Sequence, residues 1–145
     1  MGAPLNPSLP ASHEDLLVDA HYAHMATVRP DGAPQSSVMW FDWDGRVIRI
    51  THTRSRQKLR NLEHEGRVSF SIHDPASPLR ALEVRGRVVD VADDDAEASF
   101  YRSLQHRYGM DYPIDDADER VVITIAPTKF IAVGGGRIVA SNRVR

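Results

Sequence analysis

The side chains best equipped for chemistry lie in one run, Thr51-His52-Thr53-Arg54-Ser55-Arg56-Gln57-Lys58. The pattern reads as a strand running into a helix, with Ser55 as the expected cap and Arg56 and Lys58 in the first turn. A helix N-terminus carries about half a positive charge, so a cation there is unfavourable by roughly 0.3–1 kcal/mol and acids are the usual occupants. In a capping box the third helical position is Glu or Gln. Here it is Lys58, one of two lysines in the chain. A phosphate would resolve the conflict, because backbone N–H groups, the Ser55 hydroxyl, a guanidinium and an ammonium would converge on one anion. The plainer alternative is a basic face screened by water.

Other candidate chemistry is weaker. His21-x-x-His24 has a spacing that can ligate metal, but no carboxylate or cysteine completes a set, so no metal site is expected. Ser36-Ser37 lacks the Gly-x-Ser-x-Gly setting of a hydrolase nucleophile. The chain has no cysteine, which excludes disulfides, thiolate metal sites and a cysteine nucleophile. His52, His73 or solvent could supply a proton to a reduced product, and nothing in the sequence selects among them, so no catalytic acid is assigned.

The elements that must position the basic run follow from periodicity. The 145 residues, 41% apolar and 26% charged, suit a single ordinary domain. Residues 1–11, with Pro4, Pro7 and Pro10, read as an extended arm, and 12–145 as the domain, beginning with a short helix capped by Ser12 and carrying Leu16 and Leu17. Residues 24–28, 35–42 and 46–51 alternate like strands around Pro30-Asp31-Gly32 and Asp44-Gly45, and read as a three-stranded antiparallel meander. A helix is expected over 55–65, strands over 67–72 and 79–91 with a bulge or close approach at Gly86, and an amphipathic helix over 93–108. Residues 121–125 and 129–133 read as a last strand pair around Pro127, followed by a flexible Gly134-Gly135-Gly136 exit and a short tail. The expected fold is mainly β, an antiparallel barrel of six to seven strands with two or three helices.

Charge is segregated. Seven cations lie between 46 and 67, and ten of the chain's 20 carboxylates lie between 90 and 119. With a net charge of −2 and no reading motif, nucleic acid is not an expected partner, and a small anionic ligand suits the basic stretch better. No run approaches the ~20 apolar residues of a membrane span, and the opening residues lack a secretory pattern. A cytoplasmic protein is therefore expected.

The ordered series His24-Met25-Ala26-Thr27-Val28, Asp31 to Val38, Asp44-Gly45, Thr51 to Lys58, Arg60-Asn61-Leu62 and Val84-Arg85-Gly86-Arg87-Val88 resembles the pyridoxamine 5'-phosphate oxidase-like split β-barrel superfamily. Within it the chain looks most like the branch of F420-dependent reductases. The resemblance implies a homodimer with two flavin or deazaflavin cofactors in grooves between the subunits. By the same resemblance, Arg56 and Lys58 are phosphate ligands, and Thr51 and Thr53 lie near the phosphate and ribityl chain. Ser36, Ser37, Val38, Met39 and Trp40 form the strand against the ring edge, and Arg80 reaches the partner's cofactor. The FMN-using branch typically has a further arginine at the start of strand two and an adjacent Arg-Lys pair. Here Gln35-Ser36-Ser37 and Arg56-Gln57-Lys58 favour coenzyme F420, with FMN as the alternative. Vitamin B6 oxidases end in an arginine motif after a tryptophan, and residues 138–145 contain no tryptophan, which argues against pyridoxamine-phosphate oxidation.

The expected activity is hydride transfer between F420 and a small conjugated substrate, in a slot lined by Met39, Trp40, Phe41 and Tyr108. The alternatives are an FMN-binding reductase or oxidase, and a non-catalytic module for a cofactor or tetrapyrrole.

Overall fold

The computed structural model describes residues 6–145, so the first five residues of the expected arm lie outside the described residues. A 3-10 turn over Ala11–His13 leads into α1 (Asp15–Val18), which buries Leu16 and Leu17. Ser12 does not cap it; its hydroxyl bonds His13 Nδ1 at 2.8 Å. The strands are β1 (Ala23–Val28), β2 (Pro34–Met39), β3 (Asp42–Trp43), β4 (Ile48–Thr53), β5 (Arg67–Asp74), β6 (Ser77–Asp93), β7 (Arg120–Gly134) and β8 (Arg137–Arg143). Helix α2 (Gln57–His64) follows β4, and α3 (Ser99–Arg107) lies between β6 and β7. The mainly β antiparallel architecture is the expected one, built with eight strands in a single sheet.

Strand order departs from the simple meander. It runs β2-β1-β5-β6-β7-β4-β3, with β8 also on β7, so the β1–β2 hairpin and the β3–β4 hairpin occupy opposite ends. Turn residues predict each hairpin correctly, but which hairpins become neighbours depends on long-range pairing, which local pattern does not encode. The chain crosses between the two ends through Trp40 and Phe41 alone. Phe41 is fully buried. Its N–H donates to Tyr108 Oη at 3.2 Å, and its carbonyl accepts from Arg107 Nε at 2.8 Å. Arg107 also donates to the carbonyls of Leu17, Val18 and Asp19 at 2.9–3.0 Å, tying the end of α1 to the crossing. The interior is filled from all sides by Met25, Ile50, Phe70, Leu82, Ile123 and Phe130, each with 0% exposure. Burial of side chains this size contributes roughly 1.5–3 kcal/mol apiece.

Three other expectations change. The strand pair around Pro127 is one continuous strand, because the ladder shifts register there: Arg85 faces Lys129 while Gly86 faces Pro127. The missing proline N–H therefore falls at a bulge. The residues after the glycines are not a tail: 137–143 form β8, which docks on β7 as a hairpin over 129–143. Gly135 and Gly136, with φ of +60° and +77°, supply the two left-handed positions of a tight turn into β8. The second long helix starts at Ser99 rather than 93, since Asp94 and Asp95 stand outside it and accept the N–H groups of Ser99, Phe100 and Tyr101 at 2.9–3.2 Å.

Gly86 is the close approach expected at that site. A Cβ there would stand 2.7 Å from Ile125 Cγ2 and 2.9 Å from the Ala126 carbonyl oxygen. Gly86→Ala is expected to cost roughly 1–3 kcal/mol by overpacking, read as a lower urea midpoint with an unchanged slope.

Candidate functional site

Because β2 and β4 lie near the two ends of the sheet, they face one another without pairing, and a groove of about 260 Å³ opens between them. Val38, Met39 and Trp40 form one wall, and Thr51, His52 and Thr53 the other. Arg56 joins the lining, with Tyr101 from α3, Tyr112 from the segment before β7 and Arg120 from the start of β7. Trp40 stacks on Tyr108, with ring centres 5.1 Å apart and planes 8° apart, and Tyr108 stacks in turn on Tyr22. Arg107 and Tyr108 thus steady the tryptophan wall as well as the chain crossing.

The basic corner differs from expectation in detail. The cap of α2 is Arg56, with no side-chain cap hydrogen bond and no acid in the first turn. Ser55 is exposed and is not part of the groove lining. The sequence pattern marks the junction but places the cap one residue early, because Arg54 and Ser55 form the turn that leaves β4. Arg54 is paired with Asp93, whereas neither Arg56 nor Lys58 has a carboxylate within 4 Å among the described residues. Lys58 turns inward. It is 4% exposed, and its ammonium donates to Ser37 Oγ and, at 3.0 Å, to Met39 Sδ, so it bridges α2 to β2 under the groove. Asn61, on the next turn, donates to Thr27 Oγ1 at 3.1 Å and Gln35 Oε1 at 2.9 Å, clamping the helix onto the β1–β2 hairpin.

Burial, reinforced by the charge of Arg56, pulls the Lys58 ammonium down to about 8. His52 is held down to about 4, first by burial and then by Lys58, Arg56 and Arg120, so its imidazole is neutral at physiological pH. Its Nε2 is buried without a hydrogen-bond partner. Thr51 Oγ1 donates to the Val121 carbonyl at 3.1 Å.

Of the residues singled out by sequence, Val38, Met39, Trp40, Thr51, Thr53 and Arg56 line the groove together, and Ser37 and Lys58 join beneath it. Ser36 is exposed, out of phase with Ser37 along β2. Arg80 stands apart, held by Asp15, Asp74 and the Ser12 carbonyl, where it fastens the N-terminal turn to the β5–β6 hairpin. Phe41 belongs to the core rather than the slot. Tyr101, Tyr112 and Arg120 were not anticipated; the two tyrosines sit in the acidic stretch and Arg120 just after it, and no spacing marks two tyrosines on different elements as neighbours. Among the described residues no group of three or more metal-ligating side chains is found, and no helix is long and apolar enough to cross a membrane.

The donor set fits a ring system bearing a phosphate: two cations without acids, threonine hydroxyls and a broad indole face. The chain matches the pyridoxamine 5'-phosphate oxidase family over residues 9–134. Among solved structures, one described as an F420 reductase is 47% identical with a TM-score of 0.81, over 84% of this chain and 98% of that one. HupZ from Group A Streptococcus is 17% identical with a TM-score of 0.66, over 91% and 99% of the two chains. General Stress Protein 26 from Bacillus anthracis is 18% identical with a TM-score of 0.64, over 83% and 89%. The latter two share the fold. No curated protein matches the chain.

Two pH responses follow. The folded state binds Lys58's proton more weakly than the unfolded state, whose ordinary value is 10.5, so the ligand-free protein carries the penalty at pH 7 and sheds it as pH rises from 8 to 10.5. Lys58→Met is expected to be more stable than the parent at pH 7 by up to about 3 kcal/mol, an advantage that vanishes near pH 10.5 in urea denaturation. For His52 the unfolded chain takes a proton at 6.5 and the folded one only near 4, so stability is lost as pH falls through that window. His52→Gln is expected to flatten that acid limb.

Proposed function

The chain belongs to the pyridoxamine 5'-phosphate oxidase family, and from that premise we propose an oxidoreductase that moves a hydride between coenzyme F420 and a small conjugated organic substrate. The observation that carries this reading is the pair of cations, Arg56 in the groove lining and Lys58 beneath it, neither of which has a carboxylate partner among the described residues. A desolvated ammonium without a counter-ion costs stability in the empty protein, and a bound phosphate offsets that cost. The 47% identity to a structure described as an F420 reductase supports F420 over FMN, as does Gln57 between the two cations.

In this reading Arg56 and Lys58 hold the phosphate, with Ser37 fixing the ammonium from below. Thr51 and Thr53 flank the sugar-like chain, and Val38, Met39 and Trp40 give the ring an apolar face. The coenzyme, when bound, supplies the hydride, and the chain supplies orientation and exclusion of water. His52 remains a neutral hydrogen-bonding group, so it neither repels nor adds to the cationic corner. The groove of about 260 Å³ within one chain is small for such a ligand, which supports a homodimer whose second subunit completes the enclosure.

A fluorescence titration tests the reading. F420 is expected to bind, and Arg56→Ala or Lys58→Met to weaken it by roughly 1.5–3 kcal/mol each, the range for a charged hydrogen bond. Tight FMN binding with indifference to F420 would move the assignment to an FMN enzyme. F420 binding without oxidation of the reduced coenzyme across a broad panel of acceptors would point to a carrier.

A further inference from the structure

The Lys58 ammonium leans on a poor acceptor. It carries three N–H groups, and its two contacts are Ser37 Oγ and, at 3.0 Å, Met39 Sδ. A thioether sulfur accepts hydrogen bonds weakly, and no carboxylate lies within 4 Å of Lys58 among the described residues. Met39 also lines the groove, so a small solute entering the groove meets its side chain. Neither of the other methionines among the described residues combines these features. Met25 is fully buried, and Met110, 40% exposed, is not part of the groove lining.

Oxidation changes what the sulfur offers. Methionine sulfoxide carries a polar S–O group in place of a nearly apolar thioether, and the unbranched side chain has the freedom to turn that oxygen toward an ammonium already in contact with it. We propose that Met39 is an oxidation site of this groove, and that its sulfoxide oxygen engages the Lys58 ammonium in competition with a ligand phosphate, so that peroxide weakens cofactor binding. The competition with phosphate rests on the oxidoreductase reading, in which Lys58 holds the cofactor; the oxidation itself and its effect on the ligand-free protein do not.

The oxidant is hydrogen peroxide. The sulfur lone pair attacks one peroxide oxygen, the O–O bond breaks, an S–O bond forms, and the second oxygen departs with both hydrogens as water. Sulfur loses two electrons and the peroxide gains them. Methionine sulfoxide reductases reverse the step.

The sign of the effect sets this site apart. Oxidation of a methionine packed in a protein interior ordinarily destabilises, because a polar group enters an apolar site. Here the new oxygen meets a buried donor that has no strong acceptor, so the ligand-free native state gains. Burial and the charge of Arg56 already work against the ammonium, and the oxygen relieves that conflict. The contact that steadies the empty protein is the one an incoming anion must displace, so stability and affinity move in opposite directions.

The experiment uses the full chain carrying Met110→Leu, which removes the exposed competitor. The folded protein is treated with hydrogen peroxide and mapped by peptide mass spectrometry, which is expected to place one oxygen on Met39 and none on Met25. After removal of peroxide, the ligand-free oxidised protein should have a higher urea midpoint at pH 7 than the untreated protein. In a fluorescence titration it should bind F420 on the order of tenfold or more weakly, the loss of one charged hydrogen bond. Met39→Gln, which brings an amide oxygen to the same place without oxidation, should show a higher midpoint and weaker F420 binding than Met39→Leu. The midpoint difference between these two variants should vanish when Lys58→Leu is added to both. An unmodified Met39 in the folded protein, a midpoint lowered by oxidation, equal behaviour of the Gln and Leu variants, or a midpoint difference that persists without Lys58 would each overturn the role given to Met39. F420 affinity that survives oxidation in protein with a raised midpoint would overturn the competition with phosphate. Should the untreated protein fail to bind F420, the oxidoreductase reading falls, and the mapping and midpoints still decide the oxidation site.

Discussion

The two-residue crossing from β2 to β3 is the constraint on which the groove depends. A strand that leaves one end of a sheet and reappears at the other must pass through the interior or over the rim, and its backbone groups lose their ladder partners on the way. Here Phe41 is the buried step, and its N–H and carbonyl are met by Tyr108 and Arg107 at the end of α3. Since Arg107 also collects the carbonyls at the end of α1, one guanidinium joins three elements distant in sequence. The consequence lies next door. With the crossing held, Trp40 is stacked against Tyr108, and β2 and β4 are kept facing but unpaired.

Into that gap the fold places charge in an unfavourable setting. An ammonium on the inner side of a helix, satisfied only by a serine hydroxyl and a thioether, lacks the counter-ion that buried cations ordinarily have. Arg56 beside it adds repulsion, and His52 answers by staying neutral. The groove also takes Tyr101, Tyr112 and Arg120, the last of them ion-paired with Asp116.

Much of this was legible in the chain. The Thr51–Lys58 run announces itself by violating helix-start preferences, and such violations mark sites where local stability yields to another demand. Gly86 was readable as a close approach because a glycine inside an alternating strand has few other purposes. The direction of Lys58 was not readable: a lysine at the second helical position points outward by default, and only the adjacent hairpin, brought in by long-range pairing, gives it an interior partner. Pro127 misled for a related reason. A proline inside a strand pattern implies a break, unless its own strand bulges there against its partner, here at Thr128, and that pairing is a property of two segments about forty residues apart. Tyr101 and Tyr112 meet only because α3 and the segment before β7 fold against the same rim.

The interior ammonium also bears on how long each molecule survives in a cell. An occupant that supplies its missing counter-charge stabilises the native state by mass action, by about 2.7 kcal/mol when present at a hundred times its dissociation constant. Proteases act on the small unfolded fraction, so a shift of that size changes turnover severalfold. The abundance of this protein would then track the supply of its occupant, with no dedicated sensor: molecules made when the occupant is scarce are cleared sooner, and those made when it is plentiful persist.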